Sequence, residues 1–122
     1  MPASQRPADP ARFLPLSPQV LHVLLALGQE PLHGYALIQR VRDQTSDEIR
    51  LTASTLYDAL ARLVDQGLIE EVDPPDESGD ARRRYYAMTG IGRAVVKAEV
   101  ARLERAVERA RVALDARKGT SR

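Results

Sequence analysis

The sequence predicts a mainly α-helical chain with one small β-hairpin. Three observations lead there. Apolar residues recur at helical spacing in three stretches between residues 18 and 66. Two β-prone runs flank a Pro- and Gly-bearing turn between residues 68 and 88. Helix formers then continue from residue 90 to about residue 117.

Composition sets the bounds. A chain of 122 residues, 43% hydrophobic and 29% charged, builds one modest core with little surface to spare. It has no cysteine, which excludes disulfides and thiolate metal sites. No run approaches the roughly 18–20 apolar residues of a membrane span; the longest, Val20 to Leu27, is interrupted by His22. The N-terminus carries Arg6 and Arg12 and no hydrophobic signal core, so a cytoplasmic protein is expected, with no membrane partner. The formal net charge is +1, so a nucleic-acid partner would have to be met by local basic clusters.

Residues 1–16, with Pro2, Pro7, Pro10 and Pro15, read as a flexible N-terminal arm. A first helix starts at Ser17, with Pro18 in the first helical position, and stops at Gly28 and Pro31. Val20, Leu21, Leu24, Leu25 and Leu27 form its apolar side; His22, Ala26 and Gln29 fall opposite. The second helix runs from about Gly34 to Gln44, with Leu37, Ile38 and Val41 inward. The third has Thr52 as N-cap and continues to Gln66, with Leu56, Leu60, Leu63 and Val64 on one face. Gly67 stands where a left-handed residue ends a helix. Leu68 to Val72 and Arg82 to Met88 are the hairpin strands, with Pro74, Pro75, Ser78 and Gly79 between them.

Thr89 caps the last helix, which at 1.5 Å per residue is roughly 40 Å long. Val96, Val100, Leu103, Val107, Ala110 and Leu114 recur along it at spacings of 4, 3, 4, 3 and 4, a heptad seam. Such a seam packs on its own domain or on a second copy. The second is preferred, because a domain this small cannot cover the distal turns. Glu99, Glu104 and Glu108 alternating with Arg102, Arg105, Arg109 and Arg111 read as helix-stabilising charge patterning. The chain thus divides into the arm 1–16, a domain at 17–88, a dimerisation helix at 89–117 and a disordered tail at 118–122.

Three helices followed by a hairpin is the order of a winged helix-turn-helix, in which helix three enters the major groove and the hairpin follows the backbone. Winged domains also bind proteins, so a protein-interaction module without DNA binding is the alternative. With the leucine stripe turned inward, Ser54, Thr55, Asp58 and Arg62 face outward. The hydroxyls of Ser54 and Thr55 suit phosphates or base edges at the helix start, and Arg62 reaches a phosphate or a guanine edge. Asp58 either accepts from a cytosine amino group or orients Arg62 four residues on. Tyr57 and Tyr35 are split between packing and a phosphate contact, and His33 between capping the second helix and touching phosphate. Arg82, Arg83 and Arg84 form the densest basic cluster, with Arg82 and Arg84 on the face of Tyr86 and Arg83 on that of Tyr85. The plain alternative for all of these is a solvated surface. No nucleophile–base pair, metal cluster or glycine-rich phosphate loop appears, so no enzyme activity, cofactor or metal is expected.

Three stretches carry a family resemblance: Leu32-His33-Gly34-Tyr35-Ala36-Leu37-Ile38; Ser54 to Leu63 followed by Gln66-Gly67-Leu68-Ile69; and Arg82 to Thr89 leading to Gly92-Arg93. In this order and spacing they resemble the PadR family of transcriptional regulators over about residues 17 to 115, and the single terminal helix resembles its small subfamily. The resemblance implies a homodimer, usually a repressor, on a near-palindromic double-stranded DNA operator. It also implies release, in many members, by a small aromatic or phenolic effector near the dimer interface. Here such a pocket would draw on Val20, Leu24, Val96, Val100 and Leu103. Two departures stand out. Ser54 replaces the Gly that many relatives carry before the Thr-Leu-Tyr run, and the chain lacks the tryptophan with which some drug-binding relatives stack flat ligands.

Overall fold

A computed structural model describes residues 9–75 and 83–120. One 3-10 turn (Pro10–Phe13) precedes α1 (Pro18–Leu27), β1 (Leu32–His33), α2 (Gly34–Gln44), α3 (Ala53–Asp65), β2 (Ile69–Val72), β3 (Tyr85–Met88) and α4 (Gly90–Thr120). The strands form one antiparallel sheet in the order β1-β3-β2. This is the mainly helical winged fold with a long terminal helix that the sequence predicts.

The helix starts are set by short side chains that accept a backbone N–H otherwise left without a partner. Ser17 Oγ accepts from the Val20 N–H at 3.1 Å. His33 Nδ1 accepts from that of Ala36 at 3.1 Å, and Thr52 Oγ1 from that of Thr55 at 3.2 Å. Thr89 Oγ1 accepts from the Gly92 N–H at 3.0 Å and donates to the Gly67 carbonyl at 2.7 Å, so it also ties α4 to the end of α3. Gly67 has φ of 79°, the left-handed conformation that ends α3.

The core is built from Leu24 and Leu27 of α1, Leu37 and Val41 of α2, Leu56, Leu60 and Leu63 of α3, Leu68 and Ile69, Tyr86 and Val95. Four expectations need correction. Ala26, placed on the outer side of α1, is buried, as is Val23. α1 packs against α2, β3 and α4, so it is covered around a wide arc rather than along one stripe. Val64 is 40% exposed, since it lies one residue, about 100° of helix, beyond Leu63. Residues 9–16 are not a loose arm: Phe13, Leu14 and Leu16 pack against the core. Residues 1–8 lie outside the described residues. Finally, α4 runs to Thr120, past the expected start of the tail.

Two residues between α2 and α3, Ser46 and Asp47, have φ of 52° and 70°. A side chain there meets the backbone sterics that glycine escapes. Asp47 is held in place by Arg42 Nε at 3.1 Å and Arg50 Nη2 at 3.3 Å. The Ser46 side chain makes no such bond among the described residues; only its backbone N–H donates, to the Asp43 carbonyl at 3.3 Å. Ser46→Gly is therefore expected to stabilise the fold by about 0.5 kcal/mol, the relieved strain outweighing the added freedom of the unfolded chain. Urea denaturation at constant slope measures this, and a lower midpoint would contradict it.

Candidate nucleic-acid interface

The leucine stripe of α3 faces the core, which leaves Ser54, Thr55, Tyr57, Asp58 and Arg62 exposed on the other side. The Thr55 hydroxyl is engaged at the helix start, 2.9 Å from that of Thr52. Asp58 and Arg62 form no ion pair among the described residues, so Asp58 does not orient Arg62. Both line, with Thr55, Ser17 and Gln19, a shallow hollow between α3 and the start of α1.

A second group of candidates converges on one cleft of about 400 Å³, lined by His33, Gly34, Tyr35, Tyr57, Arg83, Arg84 and Tyr86. Three parts of the fold make it. α2 contributes its first turn, α3 contributes Tyr57, and the wing contributes the arginines just before β3. Gly34 lets the Tyr57 ring lie close against the start of α2: a Cβ there would lie 2.8 Å from Cζ of Tyr57 and overlap its hydroxyl, so the ring would have to swing away. The Tyr57 ring thus crosses the start of α2 yet stays half exposed.

β1 was not expected from sequence, and it is what brings His33 into this cleft. Its pairing places His33 opposite Tyr85, whose ring meets the imidazole edge-on at 5.3 Å and 89°. Arg83 Nη1 lies 2.9 Å from His33 Nε2. A neutral imidazole has one acceptor nitrogen, so one tautomer takes the Ala36 N–H at Nδ1 and the other takes the Arg83 guanidinium at Nε2. In either, the guanidinium lies against His33 at the cleft wall and gives it a positive charge that suits an anionic oxygen. Arg84 lies 4.0 Å from Glu71 with both side chains well exposed, a pair worth little that a phosphate can displace. Arg82 lies outside the described residues, so its expected place beside Arg84 and Tyr86 is not described. Tyr86 itself is buried in the core.

The heptad seam is split. Val96 packs against the chain's own core. Val100 and Leu103 are exposed, Val107 is 48% and Leu114 68% exposed, and every residue from 107 to 116, Ala110 included, is exposed. The five residues named for an effector pocket do not gather either. Leu24 and Val96 share a hollow of about 240 Å³ between α1 and α4, with Gly28 and Met88 in its wall and Arg93 and Lys97 at its edge. Val20 lies beside Arg62 instead, and Val100 and Leu103 face outward.

The family described as the transcriptional regulator PadR-like family matches residues 21–98. The chain is similar to an uncharacterized 37.1 kDa protein of a Streptomyces fradiae transposon, 40% identical over 77 residues, which are 63% of this chain and 20% of that protein. It spans 20% and 65% of the lengths of two curated relatives that it matches. Among solved structures, it is similar to a transcriptional regulator from Clostridium thermocellum, at 26% identity and TM-score 0.62, covering 74% of this chain and 84% of that one. A PadR family transcription regulator from Clostridium difficile shares the fold with TM-score 0.69 at 22% identity, covering 80% of this chain and 99% of that one.

Proposed function

Because the chain belongs to the PadR-like family of transcriptional regulators, whose members are not enzymes, we propose that it is a homodimeric repressor reading a near-palindromic DNA operator. The observation that carries this reading is the convergence of His33, Tyr35, Tyr57, Arg83 and Arg84 on one cleft beside the exposed start of α3. Ser54 and Thr55 enter the major groove with the N-terminal turn of α3, and Arg62 reaches the flanking backbone. The cleft holds a phosphate against donors from α2 and the wing. Asp58 is left for a base-edge acceptor role, since it pairs with no cation among the described residues.

The exposed stripe of Val100, Leu103, Val107, Ala110 and Leu114 supports pairing of two α4 helices. The hollow between α1 and α4 is the site for a small aromatic effector, its apolar wall taking the ring and Arg93 and Lys97 an acidic substituent. A ligand that binds one α4 arrangement better than another shifts operator affinity by that difference. None of the described helices is long and apolar enough to cross a membrane, and the reading places the protein in the cytoplasm with its operator.

The test is a fluorescence titration of the full chain with duplex from its own upstream region at several salt concentrations. Arg83→Ala with Arg84→Ala is expected to weaken binding to every sequence and to reduce the log–log salt slope by up to about 2, roughly 0.9 per lost phosphate contact in each dimer half-site. A wild-type chain that ignores duplex DNA in dilute salt, or an unchanged slope in the variant, overturns the reading.

A further inference from the structure

We propose that residues 9–17 form a clasp, closed on Glu99, that fixes the direction in which α4 leaves the winged domain and so sets the half-site spacing a dimer accepts. The inference rests on the dimeric reading above. Glu99 is 1% exposed although it lies on a helix whose neighbouring charges face water. Arg102 binds it through Nε at 2.6 Å and Nη2 at 3.0 Å. A pair one turn apart on one helix can form in solvent and needs no cover. What covers Glu99 is the N-terminal segment, whose Leu16 N–H donates to Glu99 Oε2 at 3.0 Å. The carboxylate is thereby sealed near the surface with its acceptors used, as a buried charge requires.

The segment reaches two other helices. The turn at Pro10–Phe13 packs on α4. Phe13, Pro15 and Leu16 form a hollow of about 160 Å³ together with Ala59 and Leu63 of α3 and Gln66, which caps its end. Its last residue, Ser17, caps α1. The helix that would pair the two copies and the helix that would enter the groove are therefore strapped together by residues outside the 21–98 family match. Without the strap, α4 is seated chiefly by its first two turns, where Gly92 and Val95 are buried. Glu99 lies nine residues from the helix start, about 13 Å along the axis, and the exposed seam lies further out. A small change of angle at the base becomes a large displacement there. Glu99 is a positioning residue in this scheme.

The experiment compares the full chain with Glu99→Gln, which keeps shape but loses the charge that Arg102 binds. A second variant, Phe13→Ser with Leu14→Ser, opens the clasp from the other side. Dimer mass is read by sedimentation, and affinity is read on duplexes whose half-sites are moved by one or two base pairs. Wild type is expected to lose about tenfold off its best spacing, and both variants less than about threefold, with dimer mass unchanged. A second readout needs no DNA. The chain has no native cysteine, so spin labels at Ala61→Cys and Ala113→Cys report the α3–α4 distance in chains diluted with unlabelled protein. A narrow distribution that broadens in both variants supports the clasp. An unchanged distribution, or an unchanged spacing profile, overturns it. Absence of all duplex binding with a distribution that still broadens would instead overturn the operator reading and leave the clasp standing.

Discussion

Leu103→Glu with Val107→Glu should leave a folded monomer whose affinity for a two-half-site operator is roughly 10²–10⁴-fold lower, the avidity lost when two linked contacts become one. Both positions belong to the α4 seam, and neither is part of the core. Leu103 is 36% and Val107 48% exposed in the single chain, so a carboxylate at either place remains hydrated in the monomer. In the paired state the same carboxylates would face apolar residues and each other across the seam, where like charges and desolvation both oppose association. Circular dichroism should show an unchanged helical content, and sedimentation should give half the wild-type mass. Each half would still hold a phosphate weakly through its own cleft, so binding is expected to become shallow rather than to vanish. A double variant that remains dimeric and binds as wild type does would show that the copies pair through another surface.

Gly92→Ala is expected to cost about 2–3 kcal/mol, as overpacking against an unyielding neighbour does, and to lower the melting temperature by on the order of 10 °C. A methyl at Gly92 would overlap the carbonyl oxygen of Leu68 and approach Cγ of Met88 to 2.9 Å. The carbonyl cannot move aside, because it accepts the Thr89 N–H at 3.1 Å and belongs to the junction that Thr89 closes onto Gly67. Gly90→Ala is the control: nothing lies within 4 Å of a Cβ there, so its melting temperature should match wild type or rise slightly. Equal stability of the two variants would mean that α4 does not sit on the Leu68 backbone. A large loss for Gly92 alone would show that the first turn of α4 is seated on the Leu68 backbone, two turns before the clasp at Glu99.

How much of this was legible beforehand depended on the range of the interaction. Ser17, Thr52 and Thr89 could be read as caps, because each bonds a backbone group only three residues away. The left-handed Gly67 and the Leu56, Leu60 and Leu63 stripe were legible for the same reason. The wing arginines and the hydroxyl-bearing start of α3 could be named from their residue types. That His33, Tyr57 and Arg83 border one cleft could not, because a strand of two residues, Leu32–His33, has no period to read. Glu99 is the sharpest case: its place among alternating charges suggested a solvated side chain, and only the packing of residue 16 over it makes it buried.

Sequence alone determined where the helices begin, the Gly67 stop of α3 and its Leu56, Leu60 and Leu63 stripe, since those choices are made by neighbours within one or two turns. The tertiary structure decided what meets each face: Ala26 inside rather than out, residues 9–16 against α4, Tyr57 over Gly34. Such contacts join residues far apart along the chain, and their cost and gain are settled by shape and desolvation at the meeting point, which no local pattern encodes.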